Sequence, residues 1–314
     1  MTAYIVRRTL QAVLTVILVS IITFGLLHLL PGGMVRGLLG THANPQSIAQ
    51  LSAQMGLNRP LFMQYLSWFG NFLHGDFGWD YFKQQSVGSL IQGTIGQSMY
   101  IVGLSLVLSV LISIPIGVLQ AVRRNTLLDH TLTFVSFVLW GIPTFLIAFL
   151  MLDLFVDQLG WIPTSNEIAS FHDALTQPQA IILPVACLTL TSFAGYSRYL
   201  RSSVLDELTQ EYVRTAIAKG AGRRRVLYGH VLRNAMIPMI TLIGLSLPAL
   251  VGGAVIIENV FNIQGIGLLT TQAALTNDFG VTLAITMLTA ALTVLGSLIA
   301  DLSYAILDPR VRLD

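Results

Sequence analysis

The chain has 314 residues, of which 54% are hydrophobic and 10% charged, with a formal net charge of +2. An ordinary soluble domain is about one quarter charged, and the mean hydropathy here is +0.73. Folded chains still expose a large surface, so this much apolar material cannot hide in one soluble core; the composition excludes a soluble enzyme, a disordered chain and a disulfide-stapled module, and leaves a polytopic membrane protein.

The first apolar run extends from Ala12 to Leu30, after Arg7 and Arg8, and meets Pro31-Gly32-Gly33. A signal-peptide core is only about 7–15 residues long, so this run reads as an uncleaved first helix. Uncharged windows lie at 9–35, 84–122, 130–152, 174–197, 234–257 and 279–300. About 20 apolar residues cross the hydrocarbon as a helix. The windows therefore predict an all-α protein with six transmembrane helices, near 9–30, 98–119, 131–155, 179–197, 237–257 and 281–305. Pro115, Pro143, Pro184 and Pro248 are expected to kink them, with neighbouring groups satisfying the freed carbonyls. With the N-terminus inside, fourteen of the seventeen basic residues fall in cytoplasmic segments and three outside, at Arg36, Arg59 and Lys83. That bias places both termini in the cytoplasm.

The segment between helices 1 and 2, residues 31–97, reads as helical and external. Asn44-Pro45 gives a cap followed by proline in the first turn, and Gly56 suits the stop. A second helix over 60–73, ending near Gly75, carries Leu61, Phe62, Tyr65, Leu66, Trp68, Phe69, Phe72 and Leu73. This segment is either a small cap on the outer membrane face, with aromatics anchored in the interface, or a docking surface or vestibule wall for substrate. A shorter outside segment, 156–178, contains Trp161-Ile162-Pro163-Thr164-Ser165, with a short helix expected after Thr164 or Ser165 as cap.

Residues 198–236 hold eight basic residues against Asp206, Glu207 and Glu211. Positive-inside topology or anionic lipid explains such a bias without further function. Part of the segment predicts a helix, from Glu211 to Lys219, with Gly220 as its stop. Thr215, Ala216 and Ala218 are small and let another surface approach, and Gly220 and Gly222 allow a sharp turn. Arg223-Arg224-Arg225 opens the next helix, which leads to Pro238. Nucleic acid is not an expected partner this close to a bilayer.

The chain has no nucleotide-binding P-loop. That motif needs Gly-Lys followed by Ser or Thr, whereas Lys83 precedes Gln84 and Lys219 precedes Gly220. Cys187, the one cysteine, reads as a small buried apolar residue. No His-Glu-x-x-His metal motif exists, and no metal site or catalytic residue is expected. His28 lies near the outer end of the first helix and reads as an interfacial or packing histidine. Intramembrane acids are costly and usually face a partner or a cavity. Asp153 either meets a cargo amino group or reaches interfacial water. Glu258, followed by Asn259, is a candidate for an external gate. Asp301 is a candidate to pair with Arg198 or Arg201.

Several stretches together resemble one family. Tyr196-Ser197-Arg198-Tyr199-Leu200-Arg201-Ser202-Ser203, continuing through Glu211 to Ala221, is similar to the cytoplasmic loop of ATP-binding-cassette (ABC) permeases, most of all the dipeptide/oligopeptide/nickel importer group. Leu30-Pro31-Gly32, Gly56-Leu57-Asn58-Arg59-Pro60-Leu61 with Gln64-Tyr65, Gly75-Asp76-Phe77-Gly78, Ile257-Glu258-Asn259-Val260-Phe261 with Gly265-Ile266-Gly267, Asp301, Tyr304 and Asp308-Pro309-Arg310 resemble that group in order and spacing. Two departures stand in the loop: Arg214 occupies the broad family's glutamate position, and Ile217 replaces the peptide group's usual arginine.

The resemblance implies a type I ABC importer permease fold in a bacterial or archaeal cell (inner) membrane. It divides the chain into a first helix (1–30), an external helical segment (31–97) and a five-helix core (98–314) with its coupling loop at 198–236. It implies a second homologous permease subunit, two cytoplasmic ATPases that carry ATP and magnesium, an external solute-binding protein, and contact with lipid. Arg214, Thr215, Ala216, Ala218, Lys219, Gly220 and Ala221 would meet an ATPase, and the chain itself would bind no cofactor. Short peptides are the expected cargo, with nickel, glutathione or sugars as the cargo of relatives. Two rivals remain. An ion-driven secondary transporter more often shows internal repeats, and none is visible. An intramembrane serine protease would use Gly103-Leu104-Ser105-Leu106 or Gly244-Leu245-Ser246-Leu247, and needs a base beside its serine.

Overall fold

A computed structural model describes residues 2–29, 35, 39, 44–54, 56–162 and 168–307, without the side chains of 2–5, 51, 54 and 300–307. The stretches at 30–32, 163–165 and 308–310, and the side chains of Asp301 and Tyr304, lie outside this description.

The chain is helical almost throughout. α1 is Thr2–His28. In the next segment α2 covers Pro45–Gln54 and α3 covers Leu61–Leu73. Both follow the local signals in the sequence. Asn44 Oδ1 accepts from the Ser47 N–H at 2.7 Å, and Gly56 and Gly75 sit at φ +68° and +84°, a region open to glycine at little cost. A hairpin of two-residue strands follows, β1 (Trp79–Asp80) antiparallel to β2 (Gln85–Ser86). α4 then runs for 36 residues, Val87–Val122. It begins eleven residues before the expected span and is about 54 Å long, more than the hydrocarbon requires.

The third span departs from expectation. It is not one helix over 131–155 but α5 (Leu127–Gly141) and α6 (Thr144–Leu152), the latter continuing as a π-helical turn over Asp153–Gln158. The two halves meet at 99°. Proline disfavours helical backbone in the residue before it, and Ile142, before Pro143, is extended at φ −78° and ψ 130°. A proline read as a kink is here a break.

The remaining helices are α7 (Phe171–Thr176), α8 (Pro178–Leu208), α9 (Glu211–Ala218), α10 (Arg223–Val226), α11 (Leu232–Gly252), α12 (Val255–Val260), α13 (Ile266–Thr276) and α14 (Phe279–Leu307). A π-helical turn, Leu227–Val231, joins α10 to α11. Among the described residues five helices are long and apolar enough to cross a membrane, or six when α5 and α6 count as one bent span.

The chain forms two compact units. One comprises Met1–Met99, Glu167–Asp173 and Pro248–Leu295; the other comprises Tyr100–Asn166, Ala174–Leu247 and Gly296–Asp314. The first has a core of Val87, Leu90, Ile91, Ile266, Leu269, Val281 and Ile285. The second has a core of Val118, Leu200, Val204, Val213, Val226, Val231 and Met239. Val213 belongs to α9, so the short helix is rooted in the same core as the long ones.

Candidate functional site

In the second unit, the segment singled out by sequence folds as a short helix and a turn. α9 covers Glu211–Ala218, and Gly220 turns the chain at φ +82°. Val213 is buried among α8 and α11 side chains. Tyr212 reinforces that root by donating from its hydroxyl to Glu207 Oε2 at 2.6 Å. Burial, and then the Glu207 carboxylate, push its phenol up to about 12, so it stays a donor.

The other faces of α9 are open. Arg214, Thr215, Ala218, Lys219 and Gly220 are exposed, Ala216 and Ala221 are half-buried, and Ile217 is 59% exposed. Among the described residues Arg214 pairs only along its own helix, donating to Glu211 Oε1 at 3.0 Å. Exposed pairs of this kind hold little energy, so the charge is available to a partner. Tyr212, Ala216, Lys219, Arg225 and His230 line a cleft of about 470 Å³ beside the helix. A rooted helix with small and basic residues outward offers a shallow surface to a complementary groove.

The same unit holds an ion pair between the half-buried Arg201 and the buried Asp129. Arg201 Nε donates to Asp129 Oδ1 at 2.8 Å, and its Nη2 to Asp129 Oδ2 at 2.9 Å. The Asn125 N–H and the Thr133 hydroxyl also donate to the carboxylate. Arg198 lies over the rings of Phe137 and Trp140, its guanidinium carbon 4.0 Å and 4.9 Å from their centres. Sequence reasoning offered Asp301, whose side chain lies outside the described residues, to these arginines; among the described residues Arg201 pairs with Asp129. Asp129 was missed. A signal existed, because Thr126 with an acid three residues on is a helix-start pattern, and Thr126 Oγ1 does accept from the Asp129 N–H.

The first unit contains the other charged group of interest. Glu258 is 1% exposed. Its Oε1 accepts from Ser98 Oγ at 2.8 Å and the Ala254 N–H at 3.0 Å. Its Oε2 accepts from the N–H groups of Gly267 at 2.6 Å and Leu268 at 3.1 Å. The last two are free donors at the start of α13, where the helix dipole favours an anion. Ser98 completes the ring by accepting from the Ile266 N–H at 2.8 Å. A Cβ on Gly267 would lie 2.6 Å from Val255 Cα, and one on Gly265 would collide with Glu258 and Ser98. The backbone is thus drawn tightly around a carboxylate with two bonds on each oxygen. Nearby, Gln97 Nε2 donates to the carbonyls of Ala169 and Gln264.

The other candidates are simpler. Asn259 is exposed and donates to Val255 O and Thr271 Oγ1, linking α12 to α13. Asp153 is exposed at the start of the π-helical turn and accepts from Gln158 Nε2 at 2.7 Å. His28 Nδ1 meets Phe24 O at 2.8 Å, and its Nε2 meets Gln64 Oε1 at 3.3 Å. Ser105 Oγ donates to Val102 O, and Ser246 Oγ to Leu242 O beside the Tyr196 hydroxyl. These serine contacts supply no base of the kind a nucleophile requires.

Comparison with known proteins adds the following. Residues 113–313 match the family described as "Binding-protein-dependent transport system inner membrane component". Residues 1–100 match its N-terminal component. The chain is 37% identical to the oligopeptide transport system permease protein AppB of Bacillus subtilis, over 99% of this chain and 100% of that protein. It is 33% identical to the oligopeptide transport system permease protein OppB of Haemophilus influenzae, again over 99% and 100%. A putative peptide permease of Brucella suis is 35% identical over 99% of both chains.

Proposed function

The chain belongs to the binding-protein-dependent transport system inner membrane components, and from that premise we propose that it forms half of the membrane path of an ATP-driven importer of short peptides. It is a multi-pass permease subunit, a transport component and not an enzyme. The peptide cargo is supported by full-length relatives named as oligopeptide permeases. In this reading the chain pairs with a second permease subunit in a bacterial or archaeal cell membrane, both termini in the cytoplasm. Two ATPases bearing ATP and magnesium drive it, and an external binding protein delivers cargo.

The observation that carries the coupling part is α9. Its one buried residue, Val213, sits among side chains of α8 and α11, while its remaining face is open. A push on the open face is therefore transmitted through Val213 to two long helices. ATP binding closes the ATPases, moves α9, and shifts the spans from one packed arrangement to the other. Such a shift needs contacts that differ between the two states. Arg214 and Lys219 supply charge contacts, Ala216 and Ala218 allow close approach, and Gly220 and Ala221 take the chain away.

Gly220→Asp tests this. A Cβ there would meet nothing within 4 Å, and the cost of φ +82° is confined to the turn, about 1–2 kcal/mol. Uptake of labelled peptide by the whole transporter should be lost while membrane insertion and amount stay normal. Normal uptake by the variant refutes the role of the turn. Intact uptake of nickel or glutathione, with none of peptide, by the unmodified transporter refutes the cargo alone.

A further inference from the structure

α3 is inside-out by the standard of a helix on a soluble protein. Its thirteen residues, Leu61–Leu73, include no charged side chain, and none of them is buried. Gln64, Ser67 and Asn71, at i, i+3 and i+7, line a cavity of about 610 Å³ with Phe24, His28 and Phe279. Leu61 and Trp68 border the cavity too, and other apolar residues turn the opposite way. Phe62, Leu66 and Leu73 follow at i, i+4 and i+11, on one helical face, and are 69%, 50% and 68% exposed. Met63, 58% exposed, widens the patch, whereas Leu61 borders the cavity. Water would make this face costly, because contiguous apolar patches on soluble surfaces are normally small.

The position of α3 along α1 identifies what covers the face. Tyr65 and Ser20 share a hydrogen bond of 2.7 Å between hydroxyls. Phe24 packs against Tyr65 and Trp68, with ring centres 5.5 Å and 5.6 Å apart. His28 reaches Gln64. α3 therefore packs on the last two turns of α1, and Ser20 lies about 12 Å along the axis from His28. Those turns belong to the apolar stretch Val6–His28, where Ile22 and Leu26 are 57% and 60% exposed. The open face of α3 thus lies beside a candidate spanning helix whose own apolar side chains are exposed.

We propose that α3 is embedded in the bilayer leaflet at the C-terminal end of α1, with Phe62, Leu66 and Leu73 against acyl chains and Gln64, Ser67 and Asn71 facing the protein cavity. Its partner is lipid, not water or a protein. An apolar face at the hydrocarbon boundary is the usual mode of helices that lie in a membrane without crossing it. The proposal rests on α1 spanning the membrane and is independent of the coupling role of α9.

Depth-dependent quenching tests it on the full chain reconstituted in phosphatidylcholine vesicles with the partners that remain bound. Cys187 is buried, so added cysteines label alone. Bimane is attached at Phe62→Cys, at Leu66→Cys, and at exposed Asn58→Cys as the aqueous control. Brominated acyl chains should lower emission at the first two sites and not at the control, as expected for an interfacial helix, and iodide should quench only the control. Iodide quenching at Phe62→Cys equal to the control would place the face in water and overturn the proposal. Quenching by neither agent would place the face against protein and overturn it equally.

Discussion

The cradle around Glu258 and the turn after α9 invite comparison, because each joins charged residues to a glycine at positive φ. Gly253 sits at +73° and Gly220 at +82°. At Gly253 a Cβ would meet the Gly267 nitrogen at 2.6 Å and Glu258 Oε1 at 2.7 Å; at Gly220 it would meet nothing within 4 Å. One glycine lets backbone close on backbone, and the other only lets the chain turn. The charges differ in the same way. Glu258 is buried under four hydrogen bonds, while Arg214 and Lys219 are exposed. A charge with all its partners inside the chain builds the fold, and an exposed one near a rooted helix is free to serve another subunit.

The sharpest way to break this comparison is Glu258→Ala. It strands three backbone N–H groups and a hydroxyl in a closed site, and should cost about 4 kcal/mol. A large drop in the unfolding midpoint in detergent is expected, with poor accumulation in the membrane. A variant of native stability would show that the cradle does not hold the unit together.

The Arg201–Asp129 pair in the second unit should rank next. Asp129→Ala leaves Arg201 without its carboxylate and should cost about 3 kcal/mol. In a double-mutant cycle with Arg201→Ala the two losses should fall short of additive by about 2 kcal/mol. Additive losses would deny the pairing.

A smaller effect comes with pH. Asp278 is 4% exposed, just before α14, with its carboxyl against that of Asp80. Burial, and also the neighbouring Asp80, push its acid up from 3.8 to about 6 against the pull of the Val281 N–H. Between those values the folded chain holds a proton that the unfolded chain releases. Its contribution is therefore full below about pH 4 and lost as pH rises through about 6. Asp278→Asn should stabilise the protein at pH 8 and leave it nearly unchanged at pH 4, as read by thermal unfolding at both. An equal effect at both pH values would show that the carboxyl does not titrate in this way.

What the sequence made legible was local. Gly56, Gly75 and Gly220 end helices that short-range signals start, so α2, α3 and α9 were readable before any tertiary contact was known. The spans were readable because charge is scarce and its gaps are long. What was not readable depends on distance in the chain. Asp129 is 72 residues from Arg201, and Ser98 is 160 from Glu258. Hydropathy registers how apolar the third span is and not its direction, so the 99° turn at Ile142-Pro143 was legible only as a kink. Glu258 stood out as a costly acid, but two of the N–H groups that donate to its carboxylate belong to a helix start eight residues on.

The central claim is that the open face of α9 meets an ATPase, and a crosslink at Ile217 tests it most directly. This side chain is 59% exposed, so replacing it with a photoreactive benzoylphenylalanine should leave the fold intact. Illumination of the intact transporter in its membrane should join the chain to a P-loop ATPase, in a yield that changes when ATP is added. Adducts with lipid or unrelated proteins alone, from a transporter that retains uptake, would contradict the account.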